Sequence, residues 1–348
     1  MLISRSTVRM LAGVTALVFS GYVLALVYVA NNDGLMATLS GAWPILPLLM
    51  AANLTGFLLR YVRWYWLLAR TGHATPFWEG LLAYFAGFAL TATPGKVGEL
   101  IRIRYFAHLG VPPERVIACF IFERVFDLLV LLSFATVLVG QITGLSAAAM
   151  FVALIIGAVA IAIRFPGLRE LAAELLSKIG LTRVARLFGR LMEGVALTAS
   201  LLTPANCLIA AALGCAAWGT QALANSHAFQ QLGISASSPA LFAVGPASLL
   251  IGAASMIPGG FGTTETSLAL MLMALGAPLE IAVLGAIASR VASVWLAVAL
   301  GGIALVVGEL RIQHRHDAVE AADARDIGGR GNSIRSIDPP RAMNDGGQ

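Results

Sequence analysis

Long apolar stretches, separated by short polar and charged segments, run through most of the chain. A transmembrane helix needs about 20 consecutive and predominantly apolar residues. By this criterion the pattern predicts about six spanning helices, at residues 10–30, 43–59, 116–140, 145–163, 206–227 and 280–307. The predicted fold class is therefore all-α, a polytopic membrane helix bundle.

Two apolar stretches contain a Pro-Gly break and do not fit a simple span. The first Pro-Gly break is Pro94-Gly95-Lys96-Val97-Gly98-Glu99, and the second Pro-Gly break is Pro258-Gly259-Gly260-Phe261-Gly262, followed by Glu265. Freed backbone groups inside a bilayer are tolerated only where they are buried in protein or line a wet cavity. We therefore expect residues 77–93 and 239–276 to belong to two re-entrant helical hairpins.

The composition excludes a soluble protein. Hydrophobic residues make up 58% of the chain and charged residues only 12%, whereas roughly a quarter of the residues of a soluble domain are charged. The net charge of +5 would favour nucleic acid in a soluble protein. Here, however, the cations cluster in segments between apolar stretches, as orientation signals do. We expect an integral membrane protein with no nucleic-acid partner.

The distribution of these cations predicts the orientation of the chain. Cytoplasmic loops carry an excess of lysine and arginine, so the N terminus and the aromatic-rich segment at residues 60–66 are expected on the cytoplasmic side. A hairpin that enters from the cytoplasm keeps the cations around the first Pro-Gly break on the same side. Residues 164–203 show helical amphipathic spacing and should lie on the cytoplasmic face. The charged tail at 309–348, also cytoplasmic, should be disordered.

The two halves of the chain show an internal repeat. Leu109-Gly110-Val111-Pro112-Pro113-Glu114 resembles Leu275-Gly276-Ala277-Pro278-Leu279-Glu280, and the same offset carries Arg124-Val125 onto Arg290-Val291. We expect one transmembrane domain, residues 1–308, with repeat halves at about 8–140 and 145–308. Three crossings in each half would invert the second copy. Inverted repeats with interrupted helices are typical of secondary transporters, where the interruptions mark the substrate site.

Charged residues within apolar segments form the candidate site. At about 1.5 Å per residue, Glu123, Arg124 and Asp127 lie roughly 10 to 17 Å from the inner end of their helix. Ionisable groups at such depth should face the protein interior and pair. The candidate lipid head-group or transport residues are Lys96, Glu99, Arg102, Glu123, Arg124, Asp127, Glu265 and Arg290. The residues expected to bring backbone N–H groups to the same site are Pro94, Gly95, Gly98, Pro258, Gly259, Gly260 and Gly262.

Two interpretations of these charges are compatible with the sequence. In the first, Arg124, with Arg290, Lys96 or Arg102, binds an anionic head group through the planar fork of donors that a guanidinium presents. The nearby carboxylates would then titrate in a transport cycle. In the second, the charges form an internal ion-pair network, while Lys96 and Arg102 extend towards the membrane interface.

No pattern in the chain predicts catalysis or metal binding. His73, His108 and His227 have no second ligand at metal spacing. No nucleophile and base occur at a suitable separation. We therefore expect no metal, no cofactor and no enzymatic activity.

These motifs together resemble a known family. The first Pro-Gly break, the sequence Glu123-Arg124-Val125-Phe126-Asp127, and the second Pro-Gly break with Glu265 occur in this order, as in the flippase-like family built on the transmembrane region of lysylphosphatidylglycerol synthases. The resemblance covers about residues 10–308. It implies a bacterial inner-membrane protein that moves lipids between leaflets, and its members are associated with hopanoid synthesis or lipid-linked sugar pathways. The full-length synthases carry a soluble aminoacyltransferase domain after the membrane region, whereas only a polar tail follows here, so we expect no lysyl transfer.

The leading hypothesis is a lipid translocator that moves or presents an anionic, hopanoid or polyprenyl-linked lipid, with membrane lipids as its partners. One alternative is a non-transporting scaffold that partners a lipid- or envelope-modifying enzyme. Another is an ion-coupled transporter of a small solute. Cargo, direction, energy source and oligomeric state are open at the level of the sequence.

Overall fold

A computed structural model describes residues 44–138, 143–165 and 182–313, together with the isolated positions 13, 20, 167 and 174. Within these ranges the chain contains helices and no strands, which confirms the all-α class. The α-helices are α1 (Ile45–Arg70), α2 (Phe77–Ala86), α3 (Arg102–Ala107), α4 (Pro113–Ala135), α5 (Thr143–Arg164), α6 (Thr182–Leu201), α7 (Pro204–Gln231), α8 (Ser238–Ala254), α9 (Thr263–Ala274) and α10 (Leu279–Arg290). The predicted first span at 10–30 and the tail beyond 313 lie outside the described residues.

Three of the described helices are long and apolar enough to cross a membrane. They are Ile45–Arg70, Pro204–Gln231 and Leu279–Gln313, the last of which includes α10 and its continuation. Phe77–Leu90, Ser146–Ile161 and Ser238–Ala254 are shorter apolar helices. The chain is thus a membrane protein by the length and composition of its helices, and the total of six spans stays a prediction.

Proline and threonine residues determine where several helices begin. Pro113, Pro204 and Pro239 occupy the first positions of α4, α7 and α8, where the fixed φ of proline suits a helix and its missing N–H has no partner to lose. The Thr203 hydroxyl oxygen accepts a hydrogen bond from the backbone N–H of Asn206 at 3.3 Å. This cap satisfies one of the free donors at the start of α7.

Helices α1 and α7 pack closely along their length. A Cβ atom at Gly56 of α1 would lie 3.0 Å from the Ala217 carbonyl oxygen of α7, so the glycine permits this backbone approach, as small residues do between membrane helices. Trp66 donates a hydrogen bond to the side-chain oxygen of Asn206 at 3.1 Å. The helix α1 is longer than the predicted span, since it continues without interruption past residue 59 to residue 70.

The described part of the predicted amphipathic segment packs on the protein. Gly194 of α6 faces Ile117 of α4 so closely that a Cβ atom would overlap the isoleucine side chain. The Thr198 hydroxyl also donates to the Ala118 carbonyl oxygen at 3.4 Å. The placement of α6 on the cytoplasmic face stays a prediction. Most of residues 166–181 lie outside the described residues.

Two broken helical segments contain the Pro-Gly breaks. In the first, α2 is followed by the 3₁₀ turns Gly87–Leu90 and Pro94–Ile101 and then by α3. In the second, the 3₁₀ turn Pro258–Gly260 separates α8 from α9. The turns Pro94–Ile101 and Pro258–Gly260 contact each other.

Both breaks depend on left-handed backbone conformations. Gly259, Gly260 and Gly262 have φ values of 62°, 65° and 78°, and Lys96 has a φ of 57° although it is not a glycine. Glycine adopts this region without the steric cost of a Cβ atom, which explains three of these four positions. Each broken segment lies between two long helices, so the order of elements recurs in the two halves.

The predicted re-entrant placement and inverted orientation of these segments stay predictions. Only the first residues of the predicted disordered tail are described. Disorder was expected from residue 309, but the helix that starts at Leu279 continues to Gln313.

Candidate functional site

Three arginines and three carboxylates meet where α1, α4 and the first broken segment converge. This ionic network consists of Arg63, Glu99, Arg102, Glu123, Arg124 and Asp127. A guanidinium nitrogen of Arg63 lies 2.6 Å from Asp127 and 3.2 Å from Glu123, measured to carboxylate oxygens. Arg102 lies 2.7 Å from Glu99 and 3.5 Å from Glu123. Glu123 therefore joins an arginine of α1 to an arginine that follows the first Pro-Gly break.

Arg124 completes the ionic network from the α4 side. One of its guanidinium nitrogens lies 3.2 Å from Asp127, 3.4 Å from Glu123 and 3.9 Å from Glu99. The Arg124 side chain is 18% exposed to solvent, whereas the side chains of Glu123 and Glu99 are 0% and 1% exposed. Arg124 is thus the part of the network that reaches furthest towards open space, and its charge is balanced by carboxylates.

Neutral and aromatic groups support the ionic network. The Tyr84 hydroxyl donates to Glu123 at 2.6 Å, and the Thr91 hydroxyl donates to Glu99 at 2.8 Å. The Arg102 guanidinium lies 4.4 Å from the ring centre of Tyr84 and 4.7 Å from that of Trp64. Buried charges are stable only when they are paired and hydrogen-bonded, and these contacts, with the Arg102 hydrogen bond, meet that condition for both oxygens of Glu99 and for one oxygen of Glu123.

A second ionic contact ties α10 to the second Pro-Gly break. Arg290 donates to the Glu265 carboxylate at 2.8 Å and to the Gly259 carbonyl oxygen at 2.7 Å. Its guanidinium also lies 5.4 Å from the ring centre of Phe261. The π-helical turn Val291–Trp295 follows Arg290 directly, and such turns often occur at functional sites.

The two ionic contacts share a sequence spacing. Arg290 and Glu265 are 25 residues apart, and the same separation joins Arg124 to Glu99. In both cases the arginine lies on a long helix, and the glutamate lies at the end of a Pro-Gly break or shortly after it. A duplication would produce this recurrence. The Glu–Arg separation is therefore a further match between the two halves, beyond those described for the sequence.

Arg290→Lys is expected to destabilise the protein by about 1–2 kcal/mol, because one ammonium cannot reproduce both hydrogen bonds of the guanidinium. Thermal unfolding in detergent measures the change. Arg70→Lys serves as the control, since Arg70 is exposed at the end of α1 and its guanidinium stacks on the Trp66 ring. An Arg290→Lys protein as stable as this control would show that the link to Gly259 contributes nothing.

A cavity of about 400 Å³ lies beside the ionic network and between the two Pro-Gly breaks. This volume falls in the usual range of small-molecule sites, about 300–1,000 Å³. Its charged lining residues are Arg60, Lys96, Glu99, Arg124, Asp127 and Arg290. Apolar residues of α4 and α5 form much of the remaining wall: Ile121, Val125, Leu128, Leu131, Phe151, Ile155 and Val159.

The structure brings the sequence-predicted site residues together but gives them two different positions. Lys96, Glu99, Arg124, Asp127 and Arg290 line the cavity. Arg102, Glu123 and Glu265 lie behind it, in the ion pairs described above. For the arginines of the predicted site, the contacts favour the ion-pair interpretation over free head-group binding.

The residues of the Pro-Gly breaks also differ in what they do. Gly259 and Gly260 line the cavity, as predicted. Gly98 instead permits close packing, because a Cβ atom there would lie 2.5 Å from the Leu90 carbonyl oxygen. Pro94 and Gly95 begin the turn Pro94–Ile101. Two other predicted site residues form the turn of the second break: Pro258 at its start and Gly262 just before α9.

Sequence reasoning missed Arg60, Arg63 and Tyr84. The segment around the two arginines was interpreted as a cytoplasmic interface. In the folded protein, however, Arg60 is only 6% exposed to solvent and Arg63 is 0% exposed. The available signal was the apolar run that resumes after Arg63, which indicates that the helix continues. Gly56 and Arg60 are also one helical turn apart, on the face that packs against α7.

Helices of membrane length, a buried ionic network and a cavity between two broken helices define a polytopic helical membrane protein with an internal charged site. The family model described as "Lysylphosphatidylglycerol synthase TM region" matches residues 10–301, and the chain belongs to this family. The resemblance inferred from the three motifs is thereby confirmed. No match was found among curated proteins or among solved structures.

Proposed function

We propose that the protein is a lipid translocator whose cavity receives a lipid head group between the two Pro-Gly breaks. The observation that carries the proposal is the mixed character of the lining. Charged residues come from α1, the first break, α4 and α10, while the side chains that α5 contributes are all apolar. An amphipathic ligand matches such a surface, because it can place its polar end and its hydrocarbon against different walls.

The spacing of the lining residues supports this division. Phe151, Ile155 and Val159 follow one another at four-residue intervals, so they form a continuous apolar stripe along α5. On α4, Val125 of the apolar wall lies next to Arg124 of the charged part. A small soluble ion or solute would gain nothing from the apolar stripe, and the lining therefore favours a lipid over the ion-coupled solute of the alternative hypothesis.

In this proposal the two broken segments are re-entrant hairpins of an inverted repeat in a bacterial inner membrane, with both chain termini in the cytoplasm. Motion of one half against the other would expose the cavity first to one leaflet and then to the other. The recurring Arg–Glu pairs, Arg124–Glu99 and Arg290–Glu265, would hold each hairpin to its long helix during this motion.

Reconstitution of the full chain into liposomes tests the proposal. The measured quantity is the rate at which fluorescent lipids become accessible to a membrane-impermeant quencher, for a phospholipid, a polyprenyl phosphate and a glycolipid. We expect faster exchange between leaflets than in protein-free liposomes for at least one lipid of the panel. An unchanged rate for all of them would contradict translocation and would favour the scaffold alternative.

Filling the cavity should block this exchange. Val159→Trp places a large side chain on the apolar wall and is expected to reduce the exchange rate severalfold while the protein remains folded. The matched control is Leu154→Trp, since Leu154 lies on the same helix but is 66% exposed and does not line the cavity. Equal rates for the two variants would show that lipid does not pass through this cavity.

A further inference from the structure

We propose that Arg60 and Lys96 form a binding site for the phosphate group of a lipid, an inference that rests on the proposed lipid-translocating function of the same cavity. Neither residue belongs to the ionic network, and both line the cavity. Lys96 is one of the residues that the sequence predicts for the site, whereas the residues around Arg60 have the pattern of a membrane interface.

The charge balance around the cavity points to an anion. The ionic network contains three arginines and three carboxylates, so it is neutral by itself, and Arg290 is paired with Glu265. Within the described part of the chain, neither Arg60 nor Lys96 has a carboxylate oxygen within 4.0 Å of its charged nitrogens. Two positive charges of the lining are therefore uncompensated. Because an unpaired buried charge is costly, a ligand with one or two negative charges would stabilise the site.

Aromatic rings hold Arg60 in place without neutralising it. Its guanidinium carbon lies 4.7 Å from the ring centre of Trp218, 5.1 Å from that of Phe57 and 5.9 Å from that of Phe88. Its Nε donates to the Gly56 carbonyl oxygen at 3.4 Å. Cation–π contacts of this kind support a desolvated guanidinium. Among the described residues its two terminal nitrogens donate to no acceptor, and they are the donors left for a ligand.

Lys96 is held at the cavity by an unusual backbone. Its φ of 57° is in the left-handed region, which costs a non-glycine residue free energy and persists at positions that the surroundings impose, often functional ones. Its backbone N–H donates to the Thr93 carbonyl oxygen at 3.0 Å. The break thus directs a second cation to the cavity that Arg60 lines.

The phosphate groups of lipids fit this pair of cations. A guanidinium offers a planar fork that matches phosphate oxygens, and an ammonium binds phosphate as a point charge. A phosphate diester of a phospholipid and a phosphate monoester of a polyprenyl lipid share the required chemistry, so the test must separate them.

Direct lipid binding to the purified full chain provides the test. Native mass spectrometry measures the affinity for phosphatidylglycerol, for a polyprenyl phosphate and for a phosphate-free glucosyl diacylglycerol. We expect the wild type to prefer the phosphate lipids. Arg60→Gln should weaken their binding roughly tenfold or more and leave glucosyl diacylglycerol unchanged, while Arg60→Lys, which keeps the charge and loses the fork, should be intermediate.

The matched control is Arg70→Gln. Arg70 is also stacked on an aromatic ring, with its guanidinium 4.3 Å from the ring centre of Trp66, but it is exposed and does not line the cavity. Its replacement should not alter the affinity for any of the three lipids. If Arg60→Gln fails to fold, the comparison of Arg60→Lys with the wild type decides the question.

The outcomes separate the phosphate site from the proposed function. If Arg60→Gln weakens the binding of only one phosphate lipid, the result supports the site and identifies which lipid supplies the phosphate. An equal loss for all three lipids, or no loss, would overturn the site. If the protein binds phosphate lipids selectively through Arg60 but exchanges no lipid between leaflets, the result overturns translocation alone. If the rate of lipid exchange is the same with and without a phosphate on the lipid and is unchanged by Arg60→Gln, the result overturns the phosphate site alone.

Discussion

Glu123→Gln is expected to lower the free energy of unfolding by about 3–5 kcal/mol, the usual cost of removing one partner from a buried ion pair. The Glu123 carboxylate lies within 3.5 Å of Arg63, Arg102 and Arg124 and accepts a hydrogen bond from Tyr84. Its loss would leave three guanidiniums in the protein interior with only two carboxylates. Unfolding in detergent, followed by tryptophan fluorescence, measures the effect.

The control for this variant is Glu280→Gln. Glu280 is exposed in the first turn of α10, where a carboxylate interacts only with the helix dipole, so its replacement should cost less than about 1 kcal/mol. Comparable stability of the two variants would mean that the ionic network does not hold the fold together. A restored stability in the double variant Glu123→Gln/Arg102→Gln would instead support charge balance as the cause.

Gly301→Ala is expected to cost about 3 kcal/mol or more, at the upper end of the range for overpacking. A Cβ atom at this position would overlap the backbone nitrogen of Ala89 and lie 2.5 Å from the carbonyl carbon of Phe88. Both atoms belong to the first broken segment, and backbone atoms cannot rotate away as a side chain can. The continuation of α10 would have to separate from this segment, which a lower thermal midpoint in detergent would report.

The neighbouring residue supplies a matched control. A Cβ atom at Gly302 would meet nothing within 4 Å, and alanine is favoured over glycine in a helix interior by roughly 0.5–1 kcal/mol. Gly302→Ala should therefore be neutral or slightly stabilising. Equal thermal midpoints for the two alanine variants would contradict the close packing of the helix against the first broken segment.

The two Pro-Gly breaks were predictable because their chemistry is local. A proline cannot continue the hydrogen-bond ladder of a helix, and glycines adopt left-handed backbone that other residues avoid. Both effects depend on residues close together in the chain, so the turns Pro94–Ile101 and Pro258–Gly260 follow from the sequence. The burial of Glu123 and Asp127 was predictable too, because ionisable groups within an apolar helix must face the protein interior.

The partners of these groups were not predictable in the same way. Arg63 lies 60 residues from Glu123 and 64 from Asp127 along the chain, and only the packing of α1 against α4 brings them together. The cations and aromatics around Arg63 have the composition of a membrane interface, so the local pattern indicated solvent. Arg63 is buried instead, because the carboxylates of α4 stabilise its guanidinium in the protein interior. Without them, the guanidinium would remain in water.

The sequence by itself determined the membrane class, the all-helical fold, the positions of the breaks and the burial of Glu123 and Asp127, because each depends on composition or on neighbours within a few residues. Only the tertiary structure decided which charges neutralise one another. Three arginines and three carboxylates close into the ionic network, and this leaves Arg60 and Lys96 as the uncompensated cations of the cavity. Charge compensation depends on distances between helices that are far apart in the chain, and hydrophobic patterning does not encode those distances.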